Sequence, residues 1–168
     1  MEGEIVNRVA NSSLQIFDLE DFYPKDNIVG IDISVWLFEG VILKEKEFRS
    51  ALLAHDWTQY QKANVYLYCS TDAIIPAWTY TLVATFLSPY ALNIRIGTKN
   101  ELIEALYVRI LNELDYSVYQ DKLVLIKGCA KYDIPQNAYV LACQKMIKHA
   151  KSVMYGEACS TVPLYKRK

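Results

Sequence analysis

The stretch Val65-Tyr66-Leu67-Tyr68-Cys69 is a short apolar run that ends at a cysteine, and runs of the same kind occur twice more in the chain. The other two are Val124-Leu125-Ile126-Lys127-Gly128-Cys129 and Val153-Met154-Tyr155-Gly156-Glu157-Ala158-Cys159. Runs of this length that are rich in β-branched and aromatic residues are typical of buried β-strands. The sequence therefore predicts three strands, each followed closely by a thiol.

Helical patterns alternate with these strands. Apolar residues at helical spacing predict helices over residues 45–55, 73–87, 98–114 and 135–148. The 73–87 segment is apolar almost all round, so we expect it to be deeply buried. The alternation predicts an α/β fold with a mostly parallel sheet and helices on both of its faces.

An internal repeat extends the first two runs. Asp56-Trp57-Thr58-Gln59-Tyr60 precedes the first run, and Asp115-Tyr116-Ser117-Val118-Tyr119 precedes the second, at an offset of 59 (115 − 56). The repeated unit is a helix, an aromatic linker, a strand, a cysteine loop and a second helix. We predict a single α/β domain over residues 1–168. Its parts are an N-terminal segment (1–40), two repeat units (45–88 and 98–148) and a partial third repeat (150–168).

Composition and charge narrow the class of protein. The 168 residues carry a net charge of −1, which gives no basic field for nucleic acid. The N-terminus lacks the pattern of a signal peptide, and the longest apolar region is too short and mixed to span a membrane. We therefore expect a cytoplasmic protein, in which four cysteines are thiols or metal ligands rather than disulfides.

The three strand ends suggest a site. The carboxyl ends of parallel strands meet at one edge of a sheet, where α/β folds bind ligands, so Cys69, Cys129 and Cys159 are predicted to converge there. Three thiolates leave one position open in a tetrahedral zinc site or on one iron of a cluster. We expect an iron–sulfur cluster, with zinc as the alternative. No Cys-x-x-Cys spacing supports either metal, so the expectation depends on the repeat.

Acidic residues close to the cysteines could complete the site. Asp72, Asp133 and Glu157 are candidates for a fourth ligand or a proton-transfer group, although helix capping or exposure explains each of them as well. Cys143, inside the last predicted helix, is interpreted as a core residue.

Two other classes of function stay open. A cysteine between a strand and a helix is activated towards chemistry, which suits a cysteine-dependent enzyme such as a sulfurtransferase or a thiol hydrolase. Buried small residues at strand ends suit an interaction protein without metal. The catalytic residues, the substrate and the oligomeric state are left open by the sequence.

Several long phrases resemble a known family. Tyr66–Trp78, Lys127–Cys129 and Met154–Lys166 are similar to a bacterial family of unknown function, numbered 2480 in the domain-of-unknown-function series. The resemblance covers the whole chain, including Glu4–Ala10. It implies genes near those for iron–sulfur assembly, which favours a cluster or sulfur role over zinc and makes iron–sulfur assembly proteins the expected partners.

Overall fold

The computed structural model describes residues 14–128, 131–157 and 160–168, and it confirms the α/β class. The strands are β1 (Leu14–Asp18), β2 (Ile28–Asp32), β3 (Asn64–Tyr68), β4 (Asn93–Ile96), β5 (Leu123–Lys127), β6 (Ser152–Glu157) and β7 (Ser160–Lys166). The helices are α1 (Glu45–Ala54), α2 (Ala77–Leu87), α3 (Lys99–Glu113) and α4 (Gln136–Met146). Short 3₁₀ turns span Leu19–Phe22, Ile33–Trp36, Trp57–Tyr60 and Ser117–Tyr119.

Helix α2 begins later than the sequence pattern predicts. The pattern predicts a start at residue 73, whereas the helix begins at Ala77. Pro76 precedes the helix in an extended conformation, with φ −61° and ψ 144°. A residue before proline is disfavoured in the α region, so the chain up to Ile75 does not join the helix.

The described strands form two sheets, and the expected single sheet is wrong. One sheet has the order β1-β5-β6-β7 and the other has the order β2-β3-β4. All described pairings are parallel except that of β6 with β7, so the expectation of mostly parallel strands is confirmed. The difference arises because β3 pairs with β2 and β4, whereas β5 pairs with β1 and β6.

The chain divides into two compact units. Unit 1 combines the chain up to Tyr23 with Glu104–Lys168, and unit 2 is Pro24–Ile103. Unit 1 therefore takes its first strand from the N-terminal part of the chain and the rest from the C-terminal part. This division does not test the predicted single-domain organisation, which stays a prediction.

Unit 2 has its core on one face of the β2-β3-β4 sheet. Val65 and Leu67 of β3 are on the same face because side chains alternate along a strand, and both are buried. They join one apolar cluster with Phe48 and Leu52 of α1 and with Val83 of α2. Each helix thus contributes one apolar face to this cluster.

The core of unit 1 is formed by residues at positions equivalent to the core positions of unit 2. Val124 and Ile126 of β5 are buried, as are Tyr107 and Leu111 of α3. The hydroxyl of Tyr107 donates a hydrogen bond to the carbonyl oxygen of Leu19 at 2.8 Å. Burial raises the pKa of Tyr107, so this phenol stays protonated as a donor.

Equivalent hydrogen bonds show that the repeat is a structural duplication. In unit 2 the indole Nε1 of Trp57 donates to the carbonyl of Leu52 at 2.8 Å. In unit 1 the hydroxyl of Tyr116 donates to the carbonyl of Leu111 at 2.9 Å. The offset is 59 for both the donors (116 − 57) and the acceptors (111 − 52). The carbonyl at the equivalent position thus accepts a hydrogen bond in both copies, from an indole in unit 2 and from a phenol in unit 1.

The duplication also includes the first strand of each unit, which was not predicted from the sequence. Asp18 ends β1 and caps the 3₁₀ turn after it, its carboxylate accepting from the amide of Glu20 at 3.0 Å. Asp32 ends β2 and accepts from the amide of Ser34 at 3.0 Å. The offset here is 14 (32 − 18), so this part of the repeat has its own spacing.

Candidate functional site

Cys69 lies immediately after β3, at the carboxyl end of the parallel sheet of unit 2. Its side chain is half-buried, and its Sγ is 3.4 Å from the Oγ1 of Thr71. The Thr71 hydroxyl donates to the carbonyl of Gly40 at 2.6 Å, which holds the loop in place. The thiol therefore lies in a fixed, partly polar setting at the strand end.

A carboxylate occupies the same edge of this sheet. Asp32 ends the neighbouring strand β2, and its Oδ1 accepts from the amides of Ser34 at 3.0 Å and Ser70 at 3.1 Å. Burial acts to raise the pKa of Asp32, but the hydrogen bonds from Ser70 and Ser34 outweigh it and hold the pKa below its ordinary value. Asp32 is thus an anion that ties β2 to the Cys69 loop.

Tyr80 belongs to the same surroundings. Burial raises the pKa of this phenol, and electrostatic interactions with Cys69 and Asp32 raise it further. Tyr80 therefore stays protonated at neutral pH and is available as a hydrogen-bond donor near the thiol and the carboxylate.

The equivalent edge in unit 1 has a different charge pattern. Asp18 is opposite Lys127 in the β1–β5 pair, and Lys127 Nζ lies 3.0 Å from Asp18 Oδ2. The hydrogen bond and the charge of Asp18 raise the pKa of Lys127. In unit 2 the residue opposite Asp32 is Tyr68, which is uncharged and cannot form this ion pair. Asp32 instead accepts a hydrogen bond from the amide of Ser70.

The loop after β5 is held at both of its described ends. Tyr139, the equivalent of Tyr80 (139 − 80 = 59), donates its hydroxyl to the carbonyl of Gly128 at 2.6 Å. The Oε1 of Glu20 accepts from the amides of Lys131 at 2.5 Å and Tyr132 at 3.2 Å. Cys129, which lies between these anchors in the sequence, is outside the described residues.

Cys159 is likewise outside the described residues, between β6 and β7. Strands β5 and β6 are parallel neighbours, with Ile126 opposite Tyr155. Cys129 follows the last residue of β5 by two positions (129 − 127), and Cys159 follows that of β6 by two (159 − 157). These two cysteines thus follow neighbouring strands that end at one sheet edge.

The premise that all three cysteine-bearing strands share a sheet is wrong, because β3 belongs to the other sheet. Within residues 14–128, 131–157 and 160–168, no group of three or more His, Cys, Asp and Glu side chains could hold a metal. The arrangement of Cys69, Cys129 and Cys159 is not tested, since two of them are not described. It stays a prediction.

The predicted acidic partners are all exposed. Asp72 follows the Cys69 loop in unit 2, Asp133 lies between β5 and α4, and Glu157 is the last residue of β6. Glu157 acts on Lys127 through its charge. Cys143 is on α4 and half-buried, and burial raises its pKa, which favours the neutral thiol.

His55, the histidine of unit 2, does not lie beside Cys69. His55 Nε2 is 3.0 Å from the Tyr60 hydroxyl, next to the 3₁₀ turn that leads into β3. A five-residue strand separates that end from Cys69, about 16 Å of extended chain.

The capping carboxylates Asp18 and Asp32, and Glu20, which accepts from the loop amides, were not predicted from the sequence. A signal was present, because Asp18-Leu19-Glu20-Asp21-Phe22 and Asp32-Ile33-Ser34-Val35-Trp36 share an aspartate, a buried aliphatic residue and an aromatic residue at the same spacing. Both follow a strand and both form a 3₁₀ turn.

These features define a class of protein: an α/β protein made of two copies of a parallel three-stranded unit, with cysteines one or two sequence positions beyond the last residues of β3, β5 and β6. The chain belongs to the family described as Protein of unknown function (DUF2480), whose model matches residues 3–167. No curated protein and no solved structure matches the chain. In the described part of the chain, no helix has the length and apolar character needed to cross a membrane.

Proposed function

We propose that the protein binds a metal centre through cysteine thiolates and acts in iron–sulfur or sulfur metabolism as an accessory or carrier protein. An iron–sulfur cluster is the preferred centre and zinc is the alternative. The proposed ligands are Cys129, Cys159 and Cys69. The proposal includes a cytoplasmic location, where thiols stay reduced, and iron–sulfur assembly proteins as partners.

The observation that carries the proposal is the adjacency of β5 and β6. They are parallel neighbours in register, and each is followed two positions later by a cysteine. Cys69 is supported separately, because it follows β3, the strand equivalent to β5 in the duplicated unit.

The described residues on either side of Cys129 are fixed by hydrogen bonds and an ion pair. Lys127 ends β5 with its ammonium 3.0 Å from Asp18 Oδ2. Tyr139 donates a hydrogen bond to the carbonyl of Gly128, and Glu20 accepts one from the amide of Lys131. These contacts hold the two described ends of the segment that carries the proposed ligand Cys129.

Elemental analysis of anaerobically purified protein tests the proposal. We expect iron with inorganic sulfide, or zinc, in the wild type. We expect reduced content in Cys129→Ser, Cys159→Ser and Cys69→Ser. Cys143→Ala is the matched control, because the equivalent residue in unit 2 is Ala84 (143 − 84 = 59) and the change removes a thiol from a helix. Wild-type protein without metal, or a control that loses as much metal as the other variants, would contradict the proposal.

A second candidate function is a cysteine-dependent enzyme, either a sulfurtransferase or a thiol hydrolase, with Cys69 as its nucleophile. The observation that favours it is the setting of Cys69 beside Thr71, with Tyr80 held protonated nearby. A thiol reaction that is abolished by Cys69→Ala, and retained in Cys129→Ala and Cys159→Ala, would select this candidate. A metal-free protein without thiol activity would leave the third class, an interaction protein.

A further inference from the structure

Strands β6 of unit 1 and β4 of unit 2 are equivalent, but they differ in whether another strand pairs with their outer edge. In unit 1 the outer edge of β6 is paired with antiparallel β7, in which Tyr165 is opposite Val153 and Val162 is opposite Tyr155. In unit 2 the equivalent strand is β4, and no strand among the described residues pairs with its outer edge. Ile94 and Ile96 of β4 are the equivalents of Val153 and Tyr155 (153 − 94 = 59 and 155 − 96 = 59).

The difference begins at two equivalent glycines. Gly97 has φ 131° and Gly156 has φ 116°, a region that other residues rarely adopt. After Gly156 the chain returns as β7. After Gly97 the chain enters α3, because Thr98 and Glu101 form a capping box in which the Thr98 amide donates to Glu101 Oε2 at 2.6 Å. The edge of β4 is therefore left without its own hairpin.

No strand of the described chain pairs with the backbone groups on the outer edge of β4. The amide of Gly97 donates to the carbonyl of Leu67 on β3 at 2.9 Å. Since backbone groups alternate between the two edges of a strand, the amides of Ile94 and Ile96 point to the outer edge. Ile96 is 58% exposed, so its side chain is accessible to a partner, and Ile94 is half-buried. An edge of this kind is a template for strand addition.

A groove lies against the equivalent helix in each unit, α4 in unit 1 and α2 in unit 2. In unit 1 it has a volume of about 320 Å³ between α4 and Leu164 of β7. In unit 2 it has about 480 Å³ between α2 and β4. The helix residues that line the second groove are equivalent to those that line the first, at the same offset of 59: Tyr80, Thr81 and Ala84 against Tyr139, Val140 and Cys143. The unit 2 groove lacks a counterpart of Leu164.

The charged residues near the outer edge of β4 indicate which kind of partner segment this edge would bind. In unit 1 the strand is extended by Arg167, whose amide donates to the carbonyl of Lys151 at 2.8 Å and whose guanidinium pairs with Asp121. The residue equivalent to Asp121 is Lys62, which has the same left-handed φ of 57°. Lys62 is exposed and has no ion pair within the described residues. The sign of the charge is reversed between the copies.

We propose that the outer edge of β4 binds an extended segment of a partner protein by antiparallel strand addition, with an apolar side chain in the adjacent groove and an acidic side chain on Lys62. The unit 1 arrangement of β7 and Arg167 provides the geometry, and the exchange of aspartate for lysine sets the charge of the partner. Arg95 is on β4 itself, but its charge already acts on Glu101, where it adds to the hydrogen bonds from Thr98 in lowering the pKa of that carboxyl. Lys62 is therefore the proposed partner of the acidic side chain. This inference does not depend on the metal proposal.

The test uses a peptide derived from β7. A labelled peptide with the sequence of residues 160–168 carries glutamate in place of Arg167, and a second peptide keeps the arginine. We expect the full-length protein to bind the glutamate peptide about fivefold more tightly, the size expected for one exposed charge pair. Lys62→Asp should reverse this preference. Lys46→Asp, on the exposed surface of α1, makes the same charge change elsewhere and should leave the preference intact.

Amide hydrogen exchange locates the binding. The amides of Ile94 and Ile96 should gain protection when the glutamate peptide is added, and those of Val153 and Tyr155 should not change. The proposal is overturned if neither peptide binds at about 1 mM, or if the preference is the same in Lys62→Asp. It is also overturned if the free protein is a dimer that Ile96→Lys dissociates, since a second copy would then occupy the edge.

Discussion

Unit 1 and unit 2 share a scaffold and differ where their strands end. Each has three parallel strands, a capping aspartate after the first strand and an aromatic donor on a helix carbonyl. Beyond this scaffold, unit 1 has an ion pair at Lys127, two cysteines that follow strand ends in the sequence, a third cysteine on α4, and a covering strand. Unit 2 has one cysteine, an uncharged neighbour for Asp32 and an open edge. The duplicated parts maintain the fold, and both proposals of function fall on loops and edges that differ between the units.

Equivalent core leucines offer the strongest test of the duplication. Leu52 and Leu111 are both fully buried, so Leu52→Ala and Leu111→Ala should each lower the free energy of unfolding by about 3 kcal/mol. Urea denaturation measures both. Leu53→Ala, at a position that is 75% exposed, should change the value by less than about 0.5 kcal/mol. A cost below about 1 kcal/mol at one of the two core sites would break the equivalence of the units.

The aromatic donors should show a smaller effect. Tyr116→Phe keeps the ring but removes the donor to the Leu111 carbonyl, at a cost of about 1 to 2 kcal/mol. Trp57→Phe removes the equivalent donor to Leu52 and also leaves space in the core, so it should cost more. The comparison variant is Tyr68→Phe, whose ring is partly exposed. Equal stability of Tyr116→Phe and the wild type would show that this hydrogen bond contributes nothing.

The strand-end carboxylate of unit 2 should make stability depend on pH. The pKa of Asp32 is lowered in the folded protein, so its contribution to stability is present above the unfolded pKa of about 4 and is lost as pH falls through the folded value. Asp32→Asn should therefore be less stable than the wild type at pH 6, and the gap should narrow below about pH 4. Denaturant unfolding at several pH values measures the gap. A constant gap would mean that the Asp32 charge is not involved.

The smallest expected effect has the opposite sign. Thr79 is fully buried on α2, and its hydroxyl has no hydrogen-bond partner within the described residues. The equivalent residue in unit 1 is the buried Ala138 (138 − 79 = 59). Thr79→Ala should raise the free energy of unfolding by up to about 1 kcal/mol, and Ala138→Thr should lower it. A loss of stability in Thr79→Ala would indicate that the hydroxyl has a partner.

Local patterns predicted much of this structure. The apolar runs at 65–68 and 124–127 are strands, and the offset of 59 is observed in hydrogen bonds as well as in residue types. These features depend on neighbouring residues, so a sequence carries them directly. Helix α2 shows the limit of local composition. It is apolar almost all round, but only Thr79, Val83 and Leu87 are buried, because one face meets the core cluster.

Long-range pairing could not be predicted in the same way. Strand β1 pairs with β5, and Leu14 and Leu123 are 109 positions apart (123 − 14). No local pattern distinguishes that partner from β3, so the division into two sheets was missed. The bond from the Ser70 amide to Asp32 likewise joins residues 38 positions apart. The prediction of a thiolate site is neither confirmed nor contradicted, because Cys129 and Cys159 lie outside the described residues.

The most direct measurement of the central claim is X-ray absorption at the metal edge of anaerobically purified protein. If cysteine thiolates bind a metal, the first coordination shell should be dominated by sulfur, at about 2.3 Å for zinc. The sulfur contribution should fall in a Cys129→Ser, Cys159→Ser double variant and be unchanged in Cys143→Ala. A first shell of oxygen and nitrogen alone, or a sulfur shell that survives the double variant, would contradict the claim.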